Sequence, residues 1–187
     1  MSEECHGYVQ PFDDSPLDNE HVSEIVYLNL INQAEKYIYI ETPYLIIDNK
    51  MMVALTMAAK RGVDVRILTP FIPDKWYAFA VTQSNYEELM EVGVSIYQYT
   101  PGFNHGKTFV VDDEYAVVGT INLDFRSLYL HFECGVWMYN TASVGQVKES
   151  ILEALKISRQ VEKEDIKKTA KIKKIVRTVL RIFAPLM

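Results

Sequence analysis

The chain has 187 residues, 49% of them hydrophobic and 24% charged, with a net charge of −6. Its 12 Tyr, 8 Phe and 2 Trp exclude a chain disordered throughout. No run of 18 apolar residues occurs, so no membrane span is predicted.

The charge is uneven. From Lys163 onward, eight Lys/Arg against Glu164 and Asp165 leave +6, so the preceding body holds −12. An acidic body argues against broad nucleic-acid binding, which rests on neutralising phosphates. The basic tail points to an anionic surface or partner. Cys5 and Cys134 are too few and too far apart for a disulfide framework or a zinc site, and the opening residues lack the basic and apolar regions of a secretory signal. A reducing compartment is the expectation.

Residues 1–19 read as an irregular lead-in, with Pro11, Asp13, Asp14, Ser15, Pro16 and Asp18. Helical spacing follows over 20–36, then a short strand over 37–41 ended by Thr42-Pro43. A second helix is predicted over 48–61, with Asp48 as N-cap and Gly62 as the stop. A strand over 63–68, a helix over 74–91 and a strand over 94–99 follow. Apolar runs at 107–111 and 115–119, separated by Asp112-Asp113-Glu114, predict a hairpin. A short helix over 123–130, a strand over 133–139 and helices over 143–159 and 165–183 complete the chain. Alternating β and α followed by sequential strands predicts a mixed β-sheet sandwiched between helices, an α/β fold in one domain over 20–160. Residues 161–187 would add a basic amphipathic helix, either interfacial or packed on its own domain.

The chemistry concentrates between His105 and Asn122. In a strand, His105 and Lys107 would share a face. Imidazole serves as nucleophile or acid/base near neutral pH, and a lysine two residues on offers positive charge to a phosphate oxygen. Thr120 and Asn122, at the end of the partner strand, add a hydroxyl and an amide, and Gly119 permits close backbone approach. Alone, a His beside a Lys is usually surface decoration; the joint spacing is what points to a phosphodiester site.

His105-x-Lys107-x4-Asp112-x6-Gly119-Thr120-x-Asn122 resembles the HKD signature of the phospholipase D superfamily. Thr42-Pro43-Tyr44, Arg61-Gly62-Val63-Asp64-Val65-Arg66, Pro101-Gly102-Phe103, Asn122-Leu123-Asp124-Phe125-Arg126-Ser127 and the closing Phe183-Ala184-Pro185-Leu186-Met187 are similar to the second catalytic half of bacterial cardiolipin synthases. The resemblance implies a phospholipase D-like fold and phosphatidyl transfer between two phosphatidylglycerol molecules through a phosphohistidine, releasing glycerol, with no metal and no cofactor. It implies His105 as the catalytic imidazole in the acid/base role, with Lys107, Thr120 and Asn122 on the phosphate. Asp112 and Gly119 would be structural, and Glu133 would orient the histidine. His131 is read as structural or pocket-lining, Arg126 and Ser127 as buttresses of the loop after Asn122, and Tyr44 and Phe103 as pocket walls or core. Cys134 is expected to be inert.

His6 and His21 lack a lysine two residues on, so one motif is present where such enzymes use two. The expectation is the C-terminal half of a longer enzyme at the cytoplasmic face of the membrane. Its partner would be an N-terminal half carrying the first motif, and by itself it would be inactive and soluble or peripheral. The alternatives are a homodimeric single-motif phosphodiesterase or nuclease, with a homodimer mate as partner, and a non-catalytic half-domain binding anionic phospholipid headgroups.

Overall fold

A computed structural model describes residues 7–167 and Leu180. Its elements are β1 (Tyr8–Asp14), α1 (Val22–Gln33), β2 (Tyr37–Glu41), β3 (Leu45–Ile46), α2 (Asn49–Lys60), β4 (Asp64–Pro70), α3 (Trp76–Ser84) and α4 (Tyr86–Glu91). Then come β5 (Ser95–Tyr99), β6 (Thr108–Val111), β7 (Tyr115–Gly119), β8 (Leu123–Asp124), α5 (Phe125–Tyr129), β9 (Glu133–Tyr139), α6 (Ala142–Lys156), β10 (Ser158–Gln160) and α7 (Lys163–Lys167).

Eight strands form one sheet in the order β1-β9-β7-β6-β2-β4-β5-β10. The pairs β2–β4 and β4–β5 are parallel and every other pair is antiparallel. The alternation within β2 shows how two faces are filled. Ile38 and Ile40 join Tyr27, Ile31, Leu55 and Phe109 in a core with α1 and α2. Tyr37 and Tyr39 face the other way, onto Val144, Ile151 and Leu155 of α6. Side chains on a strand alternate between faces, so five residues of β2 serve both layers. The mixed sheet between helices is the architecture the sequence implies.

Local capping works as read for α2. The Asp48 carboxylate accepts from the Met51 N–H at 2.9 Å, and Gly62 follows the helix at φ +92°.

Several elements differ from the sequence reading. The lead-in is not irregular: Tyr8–Asp14 pairs along its whole length with β9, so the sheet includes residues outside the expected 20–160. Pro11 is accommodated because β1 is an edge strand. The helix expected over 74–91 begins at Trp76 and is divided at Asn85, whose amide donates to the Leu45 carbonyl at 2.8 Å. The helix expected to reach Arg159 stops at Lys156, and Ser158–Gln160 adds an antiparallel edge to β5. The helix expected over 123–130 is shortened to α5 by β8, which pairs in parallel with β3. The expected helix over 165–183 lies outside the described residues apart from the end of α7 and Leu180, which packs on Ile46, Ala78 and Val81.

The hairpin β6–β7 turns at Asp112 and Asp113, with φ of 53° and 65°. Glu114 N–H donates to the Val111 carbonyl across the turn at 2.9 Å. Two successive positive φ values make a turn whose twist suits a hairpin. The Asp112 carboxylate accepts the N–H groups of Glu35 (2.7 Å), Lys36 (2.9 Å) and Tyr37 (2.7 Å). It therefore ties the closed end of the hairpin to the start of β2. Replacing it by Ala strands three donors and puts at positive φ a residue that tolerates it less well than Asp, so Asp112→Ala is expected to cost about 2–4 kcal/mol in urea unfolding. Asp112→Asn, which tolerates the turn and keeps one acceptor oxygen, is expected to cost clearly less.

Candidate active site

The open end of the same hairpin carries the site. Gly119 N–H donates to the Lys107 carbonyl at 3.2 Å and Thr120 N–H to the Cys134 carbonyl at 2.9 Å, which brings the ends of β6, β7 and β9 together. A β-carbon on Gly119 would stand 2.3 Å from the Cys134 oxygen, so the close approach requires glycine.

His105 and Lys107 lie in the loop before β6 rather than within it, because the strand begins at Thr108. Asn104 explains the loop. Its amide donates to Glu41 at the end of β2, and its oxygen accepts from Gly106 N–H at 2.9 Å. Gly106 sits so close to Glu41 that a β-carbon would lie 2.3 Å from the carboxyl carbon. His105 is thus held between two residues anchored to β2. Lys107 is buried, and its Nζ turns back to donate to the His105 carbonyl at 2.7 Å. The two residues are brought together by this contact and not by strand alternation.

A cleft of about 450 Å³ opens at His105, and Lys107 is not among its walls. His105, Asn122, Asp124, Ser127, Tyr44 and Asp74 are among its walls. The parallel pairing of Leu45 with Leu123 and Ile46 with Asp124 sets the Tyr44 side of the cleft against the Asn122 side. Asn122 donates to the Ser127 hydroxyl at 3.0 Å, while its Oδ1 is buried with no hydrogen-bond partner among the described residues. A buried polar atom left unpaired beside a cleft is a mark of a site that completes itself with a ligand.

Thr120 and Asn122 do not share a face. Thr120 hydroxyl donates to the Glu133 carboxylate and accepts from Cys134 N–H at 3.0 Å, while Asn122 turns into the cleft. Glu133 also stands 3.8 Å from His131 Nδ1. Its partners are therefore Thr120 and His131, and the expected contact with His105 is not what this geometry holds. Asp112 lies at the opposite end of the hairpin from His105, on backbone donors. Phe103 stacks obliquely beside His105 with ring centroids 5.5 Å apart, and Tyr44 donates to Asp74 at 2.5 Å. Cys134 is exposed rather than buried. Asn104, Glu41, Asp74 and Asp124 were not singled out by the motif. Only Asp124 had a local sequence signal, as the N-cap that accepts Ser127 N–H at 2.8 Å.

The electrostatics follow from this placement. Burial pushes Lys107 below the ordinary lysine range, partly offset by Glu133, Asp124 and Glu41. Burial also pushes the Asp124 carboxyl up. The His105 imidazole is held below its ordinary value, first by desolvation and then by the Lys107 charge. It is therefore neutral near pH 7, with a ring nitrogen able to take a proton. Among the described residues no group of three or more His, Cys, Asp or Glu could hold a metal ion. By NMR titration His105 should protonate below the usual imidazole midpoint, and Lys107→Met should move that midpoint up. An unmoved midpoint would exclude the lysine as a cause.

The comparisons with known proteins agree with this arrangement. The family described as cardiolipin synthase, PLD-like domain, matches residues 27–155, more than half of the chain. A protein of Streptococcus mutans, named only as uncharacterized, is 50% identical over 98% of this chain and 40% of its own length. A cardiolipin synthase of Halalkalibacterium halodurans is 36% identical over 97% of this chain and 36% of its own length. The chain thus spans well under half the length of these relatives. The crystal structure of Nuc, a phospholipase D family member from Salmonella typhimurium, superposes with a TM-score of 0.71 at 20% identity, covering 84% of this chain and 99% of Nuc. With the fold, the His105–Lys107 loop and the family match in agreement, the chain belongs to the cardiolipin synthase branch of the phospholipase D superfamily.

Proposed function

We propose that this chain supplies the second catalytic half of a phosphatidyltransferase that joins two phosphatidylglycerol molecules into cardiolipin and releases glycerol. The observation that carries the reading is His105 and Asn122 in one cleft, with the Lys107 ammonium 2.7 Å from the His105 carbonyl. In the reaction, a histidine of the first motif attacks phosphorus and forms the phosphohistidine, and the glycerol oxygen leaves. His105 gives that oxygen its proton, then takes one from the hydroxyl of the second phosphatidylglycerol as it attacks the phosphohistidine. Lys107 supplies fixed positive charge beside the developing phosphorane. Asn122 supplies a donor once its amide rotates and the Ser127 hydroxyl donates to Oδ1 in its place. An anionic phosphodiester in the cleft raises the His105 pKa, which offsets the desolvation that lowers it in the free chain. In this reading the chain works at the cytoplasmic membrane surface, paired with a half that carries the first motif. No helix among the described residues is long and apolar enough to cross a membrane.

A second reading has one observation in its favour. Nuc is matched over 99% of its chain, so a chain close to this size makes up the whole of that phospholipase D family member. Two copies could then face each other across one phosphate. A light-scattering mass near 21.6 kDa across a concentration series would reject that dimer.

The test is a chimera in which this chain replaces the matching stretch of the Halalkalibacterium halodurans synthase. Cardiolipin should form from phosphatidylglycerol vesicles, and His105→Ala should lower the rate by about 10³-fold or more. The chain without a first-motif partner should give no product. A folded chimera that is silent, or one indifferent to His105→Ala, overturns the proposal.

A further inference from the structure

The cleft wall carries two cations besides the groups at His105. Lys75 and Arg126 both line it, Lys75 just before α3 and Arg126 in α5. Neither makes an ion pair among the described residues. The carboxylates nearby are otherwise engaged. Asp74 accepts from Tyr44 hydroxyl at 2.5 Å, and Asp124 accepts from Ser127 N–H at 2.8 Å.

Arg126 is not free to wander. Its Nε and Nη2 both approach His131 Nε2, at 3.2 and 3.0 Å. A ring nitrogen that accepts from a guanidinium cannot itself carry a proton, so His131 bears its proton on Nδ1, the nitrogen that faces Glu133 at 3.8 Å. The order is Thr120 to Glu133 to His131 to Arg126, a chain of side chains running from the end of β7 to the rim of the cleft. It holds the guanidinium in place through a neutral partner, and its charge stays uncompensated. The donors not used by His131 remain for a ligand. A guanidinium pinned in this way matches phosphate geometry better than a mobile lysine does.

We propose that Arg126, oriented by His131 and assisted by Lys75, forms a second anion subsite that takes the phosphodiester carried by the acceptor lipid, one glycerol away from the phosphate at His105. This rests on the phosphatidyl-transfer reading above. In that reaction the acceptor is itself a phosphodiester, and the product carries two joined by glycerol. An enzyme that prefers such an acceptor to water or free glycerol needs a place for the second anion. The cleft volume of about 450 Å³ lies within the range of sites for ligands larger than one phosphate.

The test compares two water-soluble headgroups binding to the chain at low ionic strength, followed by NMR shift titration. Glycerophosphoglycerol carries one phosphodiester, and bis(glycerophospho)glycerol carries two. The second should bind about tenfold more tightly. The double variant Lys75→Gln/Arg126→Gln should cut that advantage to about twofold or less, while affinity for glycerophosphoglycerol stays within about twofold. The retained one-phosphodiester binding also shows that the variant is folded. His131→Phe, which removes the acceptor for the guanidinium, should lower the advantage to an intermediate value. Equal affinity for both headgroups in the unaltered chain overturns the subsite, as does an advantage that survives the double variant. If neither headgroup binds the unaltered chain, the phosphodiester reading of His105 falls first and the subsite with it. A thymidine trinucleotide, whose two phosphodiesters are joined by deoxyribose, is the control for plain charge. If it shows the same variant-sensitive gain, the assignment to a glycerol-linked headgroup is overturned.

Discussion

The site depends on β2 being gripped at both ends. At its start, the Asp112 carboxylate collects the N–H groups of Glu35, Lys36 and Tyr37. At its finish, Glu41 holds Asn104 and so the His105 loop. Between these grips lie five residues, paired on one side with β4 and on the other with β6. A strand rises about 3.3 Å per residue and resists stretching, so it acts as a ruler between the turn of the hairpin and its open end. The motif residues Asp112 and His105 belong to one device even though they never meet. Any slip of β6 against β2 would release the turn and the His105 loop together.

Much of this was legible in the sequence because the spacing of a hairpin is rigid. Four residues of β6 and five of β7 join Lys107 to Gly119 whatever surrounds them. The N-cap at Asp48 and the stop at Gly62 were equally local, needing only one turn of chain to express themselves. The failures were all non-local. β1 looks irregular because Pro11 and the clustered acids argue against a strand, and only its partner β9, more than a hundred residues later, makes it one. Arg159 continues a helical pattern, but the free edge of β5 captures it. Propensity loses in both places to a vacant row of sheet donors and acceptors.

The site shows the same division. His105, Lys107 and Asn122 were legible as a set because their chemistry is stereotyped. The orientation of the histidine was not. Nothing in the spacing tells that Asn104 bridges Glu41 and Gly106, since Glu41 lies over sixty residues earlier. The family resemblance implied Glu133 as the partner of His105. The fold gives it Thr120 and His131 instead. The choice of partner was a matter of tertiary geometry.

The strand β1 also constrains how this molecule can assemble in time. It covers β9, whose first residue, Glu133, belongs to the chain of contacts reaching Arg126. During synthesis β1 emerges more than a hundred residues before β9 and finds no such partner until β9 has been made. Closing so large a loop costs more entropy than pairing the hairpin or the parallel strands. The flank of the candidate site is thus sealed by a long-range closure. Until then β9 offers a bare edge that a neighbouring nascent chain could occupy.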